Sequence, residues 1–302
     1  MSVGNAFEAR YEDGFSYHGH FDLDYLRSGV GILKDNKGRL CYSGFWCGDC
    51  RHGRGTEYLD GVVMSGKFQM DRLEEGLLNF THTGDSYKGQ ICFEAEIISE
   101  LPHGWGTYTY SNGDIFRGMF SEGERHGLGR LQCANGDEHS GCYSHNLPHG
   151  YGQCQLFQLP YPSSSVSSSS SVESVGIYDG EFKGGRRCGI GIMTLPANSA
   201  LSLAIAESLQ IACHCLNVTY KGSWRGDLPE GLGEMFAYDE QGGLLDGCAG
   251  IWQAGVLVEQ KQAYSIFNSS SYTTTIGSKG CPHVRRDSLA GEESKEQLPK
   301  VL

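Results

Sequence analysis

Four histidines stand directly before a glycine, at His52, His103, His126 and His149, and regularly placed imidazoles are raw material for a metal centre or a proton relay. Cys47-Gly48-Asp49-Cys50, with Cys41 and His52 close by, has part of the spacing of a zinc site, and Cys213-His214-Cys215 offers further donors. Gly61 to Lys67 matches most of a phosphate loop. Lys183, Arg186 and Arg187 form a basic cluster suited to phosphoinositide head groups, and Arg51 and Arg54 form a smaller one.

Each pattern also has a plainer account. The histidines sit one to a repeat, and adjacent hairpins lie two strand spacings apart, about 9.5 Å. Ligands of one zinc ion each lie about 2 Å from it, so neighbouring repeats cannot share an ion. Other repeats place Ser28, Glu75, Cys188 and Glu230 at the same position. A second Cys-x-x-Cys is absent, so the cysteines read as free thiols in a reducing compartment. Phe68 stands where a phosphate loop needs Ser or Thr for magnesium. Against 24 Lys and Arg stand 36 Asp and Glu, a net charge of -12, which argues against nucleic acid and makes the basic clusters read as solvated hairpin edges. No metal, cofactor or catalytic constellation is expected, and the chain reads as no enzyme.

The frame that positions these residues is a repeat. Tyr42-Ser43-Gly44-Phe45-Trp46 is followed nine residues after its glycine by Gly53-Arg54-Gly55. Phe116-Arg117-Gly118-Met119-Phe120 with Gly127-Leu128-Gly129 repeats it, and so does Tyr220-Lys221-Gly222-Ser223-Trp224 with Gly231-Leu232-Gly233. Units begin at Tyr17, Tyr42, Met64, Tyr87, Phe116, His139, Tyr178, Tyr220 and Cys248, the third and ninth being the weakest. Each reads as a β-hairpin. Residues i, i+2 and i+4 share a face, so a bare glycine leaves a slot between two rings that an aromatic of a neighbouring hairpin fills. Asn36-Lys37-Gly38, Asp60-Gly61, Asn112-Gly113 and Asn135-Gly136 supply turns between units.

The spacing resembles the MORN (membrane occupation and recognition nexus) repeat over residues 15 to 255. The resemblance implies an all-β fold: an elongated, twisted antiparallel sheet of stacked β-hairpins. Members of that family are scaffolds, membrane or cytoskeleton tethers, or recognition segments attached to catalytic domains.

The resulting map has a cap at residues 1–16, six repeats at 17–159, a Ser-rich flexible insertion at 160–175 and three repeats at 176–255. A short helix is expected within the last block, at about 198–216, where Leu201, Ile205, Leu209, Ala212 and Leu216 form one stripe. Residues 256–302 read as a C-terminal segment and disordered tail. The predicted role is a cytoplasmic scaffold or adaptor for protein partners at a cytoskeletal or membrane-associated structure. Its contacts would run along an aromatic-lined groove of Tyr42, Trp46, Tyr87, Phe116, Phe120, Tyr178, Phe182, Tyr220 and Trp224. Two alternatives stand beside it: a tether holding anionic phospholipid through Lys183, Arg186 and Arg187, and a targeting or regulatory subunit of a separate enzyme. Open terminal strands allow a homodimer.

Overall fold

A computed structural model describes residues 6–93, 100–156, 176–196, 217–239, 241–265, 272–276 and 282–286. The chain divides into two compact units. The first runs to Cys154 and takes in the hairpin tip Phe182–Gly185; the second holds Gln155–Glu181 and the chain from Arg186 onward.

The described residues are all strand and turn. In the first unit the strands are β1 (Phe7–Arg10), β2 (Ser16–Phe21), β3 (Arg27–Lys34), β4 (Leu40–Cys47), β5 (Cys50–Leu59), β6 (Val62–Gln69) and β7 (Arg72–Phe80). They continue as β8 (Ser86–Phe93), β9 (Glu100–Thr109), β10 (Ile115–Ser121), β11 (Glu124–Gln132), β12 (Glu138–Ser144) and β13 (Leu147–Leu156). Each strand pairs antiparallel with the next, the arrangement that short hairpin connections impose. The second unit repeats the scheme with β14 (Gly176–Lys183), β15 (Arg186–Leu195), β16 (Asn217–Arg225), β17 (Leu228–Tyr238), β18 (Leu244–Gln253) and β19 (Val256–Ser265). A separate two-stranded ladder joins β20 (Tyr272–Ile276) to β21 (Pro282–Arg286).

One row of glycines sets the register. Gly19, Gly31, Gly44, Gly55, Gly66, Gly76 and Gly89 lie opposite one another on successive strands, and the row continues through Gly106, Gly118, Gly129 and Gly141. In the second unit Gly191, Gly222, Gly233 and Gly250 do the same. The two glycines of each Gly-x-Gly serve different needs. The first, such as Gly53 at φ +69°, turns the backbone into the left-handed region opposite the register shift between Gly44 and Trp46, a bulge that glycine makes cheap. The second, such as Gly55, is the bed for a ring: a Cβ there would run into the Tyr42 phenol.

Several expectations change here. The glycine slot is filled by the hairpin's own first ring, not by a neighbour's, because Tyr42 bends back over Gly44 and Gly55. The third and ninth hairpins are complete, β6–β7 and β18–β19, although Met64 and Cys248 stand where the ring should be. A leucine on the second strand substitutes in both: Leu73 methyls lie 2.8 Å from a Gly66 Cβ position, and Leu257 lies 2.6 Å from that of Gly250. Val256–Ser265, assigned by sequence to the C-terminal segment, is therefore the second strand of a repeat. Within the expected disordered tail, β20 and β21 are paired. The Ser-rich insertion and the expected helix at 198–216 lie outside the described residues.

Candidate functional site

The ring face is closed by its own packing. Tyr42 is buried, and its hydroxyl donates to the Phe45 carbonyl at 3.1 Å, the group that the bulge would otherwise leave unpaired. Tyr17, Tyr87, Tyr178 and Tyr220 repeat the bond to the carbonyl three residues on. Burial pushes the Tyr42 and Tyr220 hydroxyls up to about 12, so they stay donors at any physiological pH. The ring at the fifth position then packs edge-on against two first rings. Trp46 lies 5.0 Å from Tyr42 and 5.6 Å from Tyr17; in the second unit Trp224 lies 5.2 Å from both Tyr220 and Tyr178.

The hairpin tips are joined by a second device with two forms. Where the second strand begins with arginine, the next tip carries Asp or Asn; where it begins Leu-Pro, the next tip carries glycine. Arg51 donates its N–H and its Nε–H to Asp71 Oδ1 at 2.8 and 2.9 Å, and Nη2 to the Asp71 carbonyl at 2.8 Å. Burial alone would raise the Asp71 carboxyl, but these bonds outweigh it and hold it below its usual value. Arg27–Asp49 and Arg187–Asp227 are built alike, and Arg27 also stacks 4.1 Å from the Trp46 ring centre. Proline has no N–H to give a tip carboxylate, so at Pro102 and Pro229 the tip glycine, Gly123 or Gly255, donates to the proline carbonyl at 2.9 Å, and at the second tip the Ala254 N–H also donates to Glu230 Oε2 at 2.8 Å.

These arrangements reassign most of the residues singled out by sequence. The nine rings expected to line a groove, Tyr42, Trp46, Tyr87, Phe116, Phe120, Tyr178, Phe182, Tyr220 and Trp224, are between 0% and 7% exposed. They are the core and not a contact surface, because the glycine bed draws the first ring of each hairpin inward and the others pack edge-on against those rings. Arg187 is tied to Asp227 and lies 5.1 Å from the Trp224 ring centre, so its charge is already engaged. Lys183 and Arg186 are exposed. His52, His103, His126 and His149 are exposed, and among the described residues no three His, Cys, Asp or Glu side chains converge as a metal site. Cys47 and Cys50 face each other across a tip as free thiols, the latter made less acidic by burial and by Asp71. Cys213, His214 and Cys215 lie outside the described residues. Gly61 ends a turn and Val62 to Lys67 lie within β6, not in a loop before a helix.

The surface left for recognition is the opposite face. It carries the residue between the two glycines and its cross-strand partner, the fourth residue of the Tyr-x-Gly-x-Trp frame. In the first unit the row crosses β9 to β13 as Trp105, Met119, Leu128, Cys142 and Tyr151, with Met119 directly opposite Trp105 and Cys142 opposite Leu128. Trp105 is 57%, Leu128 56% and Tyr151 63% exposed. The same row on β5 to β8 is polar: Arg54, Lys67, Glu75 and Gln90. Sequence reasoning passed over these positions because the variable residue of Gly-x-Gly looked like filler; its signal was the recurrence of Val, Trp, Leu, Tyr and Ile there.

The glycine register, the bulge and the ring stack describe one repeated unit, and the family model of the MORN repeat matches at residues 101–115, 116–138, 139–156, 178–199 and 220–238. The chain is a MORN-repeat protein. MORN repeats are protein- or membrane-binding modules. The hairpins of residues 17–93 share the same frame although the family match does not extend to them, and Met64 and Leu78 show how far the third departs from it. No curated protein matches the chain.

Proposed function

We propose that this MORN-repeat chain is a non-enzymatic scaffold that holds protein partners on the exposed face of its hairpins. The observation that carries the reading is the division of labour between faces. One is consumed by the protein's own rings, whereas the other keeps large apolar side chains in water on successive strands, a cost that a monomer rarely carries without a partner. A reducing, cytoplasmic setting at a cytoskeletal or membrane-associated structure suits such a role, given the scattered cysteines. The phospholipid alternative has less support, since Arg187 already spends its charge on Asp227.

A photo-reactive amino acid placed in turn at Leu128, Tyr151 and, in a turn between units, Lys37 tests the reading in extracts of the native cell. Adducts to discrete proteins from positions 128 and 151 but not 37 are expected. Adducts from all three alike, or from none, would overturn it.

A further inference from the structure

Beside the apolar row of the first unit runs a second row on the same face: Lys88, Thr107, Arg117, Arg130 and Ser140 on β8 to β12. Arg117 and Arg130 are directly opposite each other, an arrangement of like charges that destabilises a sheet. Arg130 is relieved by Glu138 at 2.6 Å, while Arg117 and Lys88 make no ion pair among the described residues. Arg54 and Lys67 add positive charge on the same face, with Glu75 directly opposite Lys67. In a chain of net charge -12 this is a local reversal of sign beside a row of exposed apolar side chains.

We propose that this face binds an amphipathic helix of a protein partner, with its apolar stripe on Trp105, Met119, Leu128, Cys142 and Tyr151 and its acidic flank over Lys88 and Arg117. The proposal rests on the scaffold reading and adds the chemistry of what is held. Strands in a sheet are about 4.8 Å apart, so the five-strand row spans about 19 Å. A helix laid across them advances 5.4 Å per turn, and its i, i+4, i+7 and i+11 residues meet successive strands with a mismatch of about 0.6 Å per turn. About 15 helical residues, from i to i+14, place a contact on each of the five strands. An extended segment repeats on one face every 6.6 Å or so and falls out of step by the second strand. Charge complementarity selects carboxylates for the flank. An anionic membrane would meet the same cations, but the charge of the whole chain opposes it and a bilayer needs no row at strand spacing.

Selection of a displayed library of random 16-residue peptides against the full chain is the direct test, followed by binding of selected peptides to wild type, Leu128→Thr and Arg117→Glu. Enriched peptides are expected to carry apolar residues at helical spacing with Asp or Glu beside them. Each substitution should weaken their binding at least tenfold, with the thermal midpoint unchanged for Leu128→Thr and not lowered for Arg117→Glu, which sets an opposite charge across from Arg130. Selection of peptides lacking that period or charge, indifference to both substitutions, or no selection at all overturns the proposal. So does flotation of the chain on phosphatidylserine vesicles that Leu128→Thr abolishes, which would assign the face to lipid. Self-association in sedimentation that Leu128→Thr abolishes would assign it to a second copy and overturn it too. Failure here with protein adducts still forming at positions 128 and 151 removes the helix and leaves the scaffold; failure of both removes both.

Discussion

The rungs Arg51–Asp71 and Arg125–Asn146 occupy equivalent places in the first unit, yet only the first is complete. Arg51 gives three hydrogen bonds to Asp71 and a salt bridge to the half-buried Glu57. Arg125 gives its N–H to Asn146 Oδ1 at 2.9 Å and Nη2 to the Asn146 carbonyl at 2.6 Å, but its Nε–H is buried with no acceptor. The hairpin next to it has a second deficit. His139 stands where Tyr42 stands in its own repeat; Nδ1 meets the Tyr143 hydroxyl at 2.7 Å and Nε2 is buried without a partner. What survives in both places is the glycine register and the backbone bond from tip to second strand. Those two features define the repeat, while carboxylate and phenol are additions whose loss costs about 1–3 kcal/mol apiece.

The largest effect should come from the glycine bed, and it should differ between the two places. At Gly55 an added side chain runs into the body of the Tyr42 phenol; at Gly152 it meets the edge of a smaller ring, His139 Nε2 at 2.8 Å, and the Ser140 carbonyl oxygen at 3.1 Å. Gly55→Ala should cost about 3 kcal/mol, as overpacking at a rigid site does, and Gly152→Ala about 1 kcal/mol. Hydrogen exchange of the flanking strands reads both. Equal costs would mean that the rings yield more easily than the glycine register implies.

Acid separates the places further. Burial, with the charge of Arg125 added, pushes His139 down to about 4, against about 6.5 in an unfolded chain. Its folded-state value is depressed, so the unfolded chain binds the extra proton. The stability that depends on neutral His139 is complete above pH 6.5 and is lost as pH falls toward 4, by roughly 2–3 kcal/mol. His139→Phe, which copies Phe116 at the same place in its repeat, should flatten that part of a pH–stability profile and leave the region below 4 unchanged. A profile identical to wild type between pH 6.5 and 4 would show that the imidazole is solvated after all.

Much of this fold was legible in the sequence, and the reasons are local. Tyr42, Gly44 and Trp46 alternate with period two, and the turn Asp60-Gly61 sits where a positive φ is needed, so strands and hairpins could be placed from spacing alone. The fate of the rings was not legible. Periodicity puts Tyr42 and Gly55 on one face without saying that the phenol lies down on the glycine, and the nine supposed contacts proved to be core. Leu73 and Leu257 were missed because they replace a ring from the other strand, seven residues after the first glycine, outside the frame being matched. The tip device was visible in principle, as Arg51 with Asp71 and Pro102 with Gly123, but its partners lie in different repeats and carry no local periodicity.

Completing the deficient rung should have a smaller effect than either change above. Asn146→Asp supplies Arg125 Nε–H with an acceptor and the buried guanidinium with a counter-charge, and a gain of about 1 kcal/mol is expected at neutral pH. The reverse change, Asp71→Asn, should lose a similar amount. Because rung carboxylates such as that of Asp71 are held below their usual value, the gain belongs above the ordinary carboxylate range and should disappear as pH falls through it. A gain at Asn146→Asp that persists in acid would point to geometry, not charge, as its source.

The smallest effect tests whether the deficit stays where it arises. Leu128 lies on the same strand as Arg125, three residues on, but its side chain stands on the exposed face. If the ring face alone carries the stability of the hairpin, Leu128→Thr should change it by no more than about 0.5 kcal/mol, since a β-branched residue suits an exposed strand position. The thermal midpoint should be unchanged in wild type and in the Asn146→Asp background alike. A larger loss, and one that Asn146→Asp reverses, would mean that the two faces of β11 are coupled through the unpaired arginine. The exposed row would then be part of what holds the weak hairpin together.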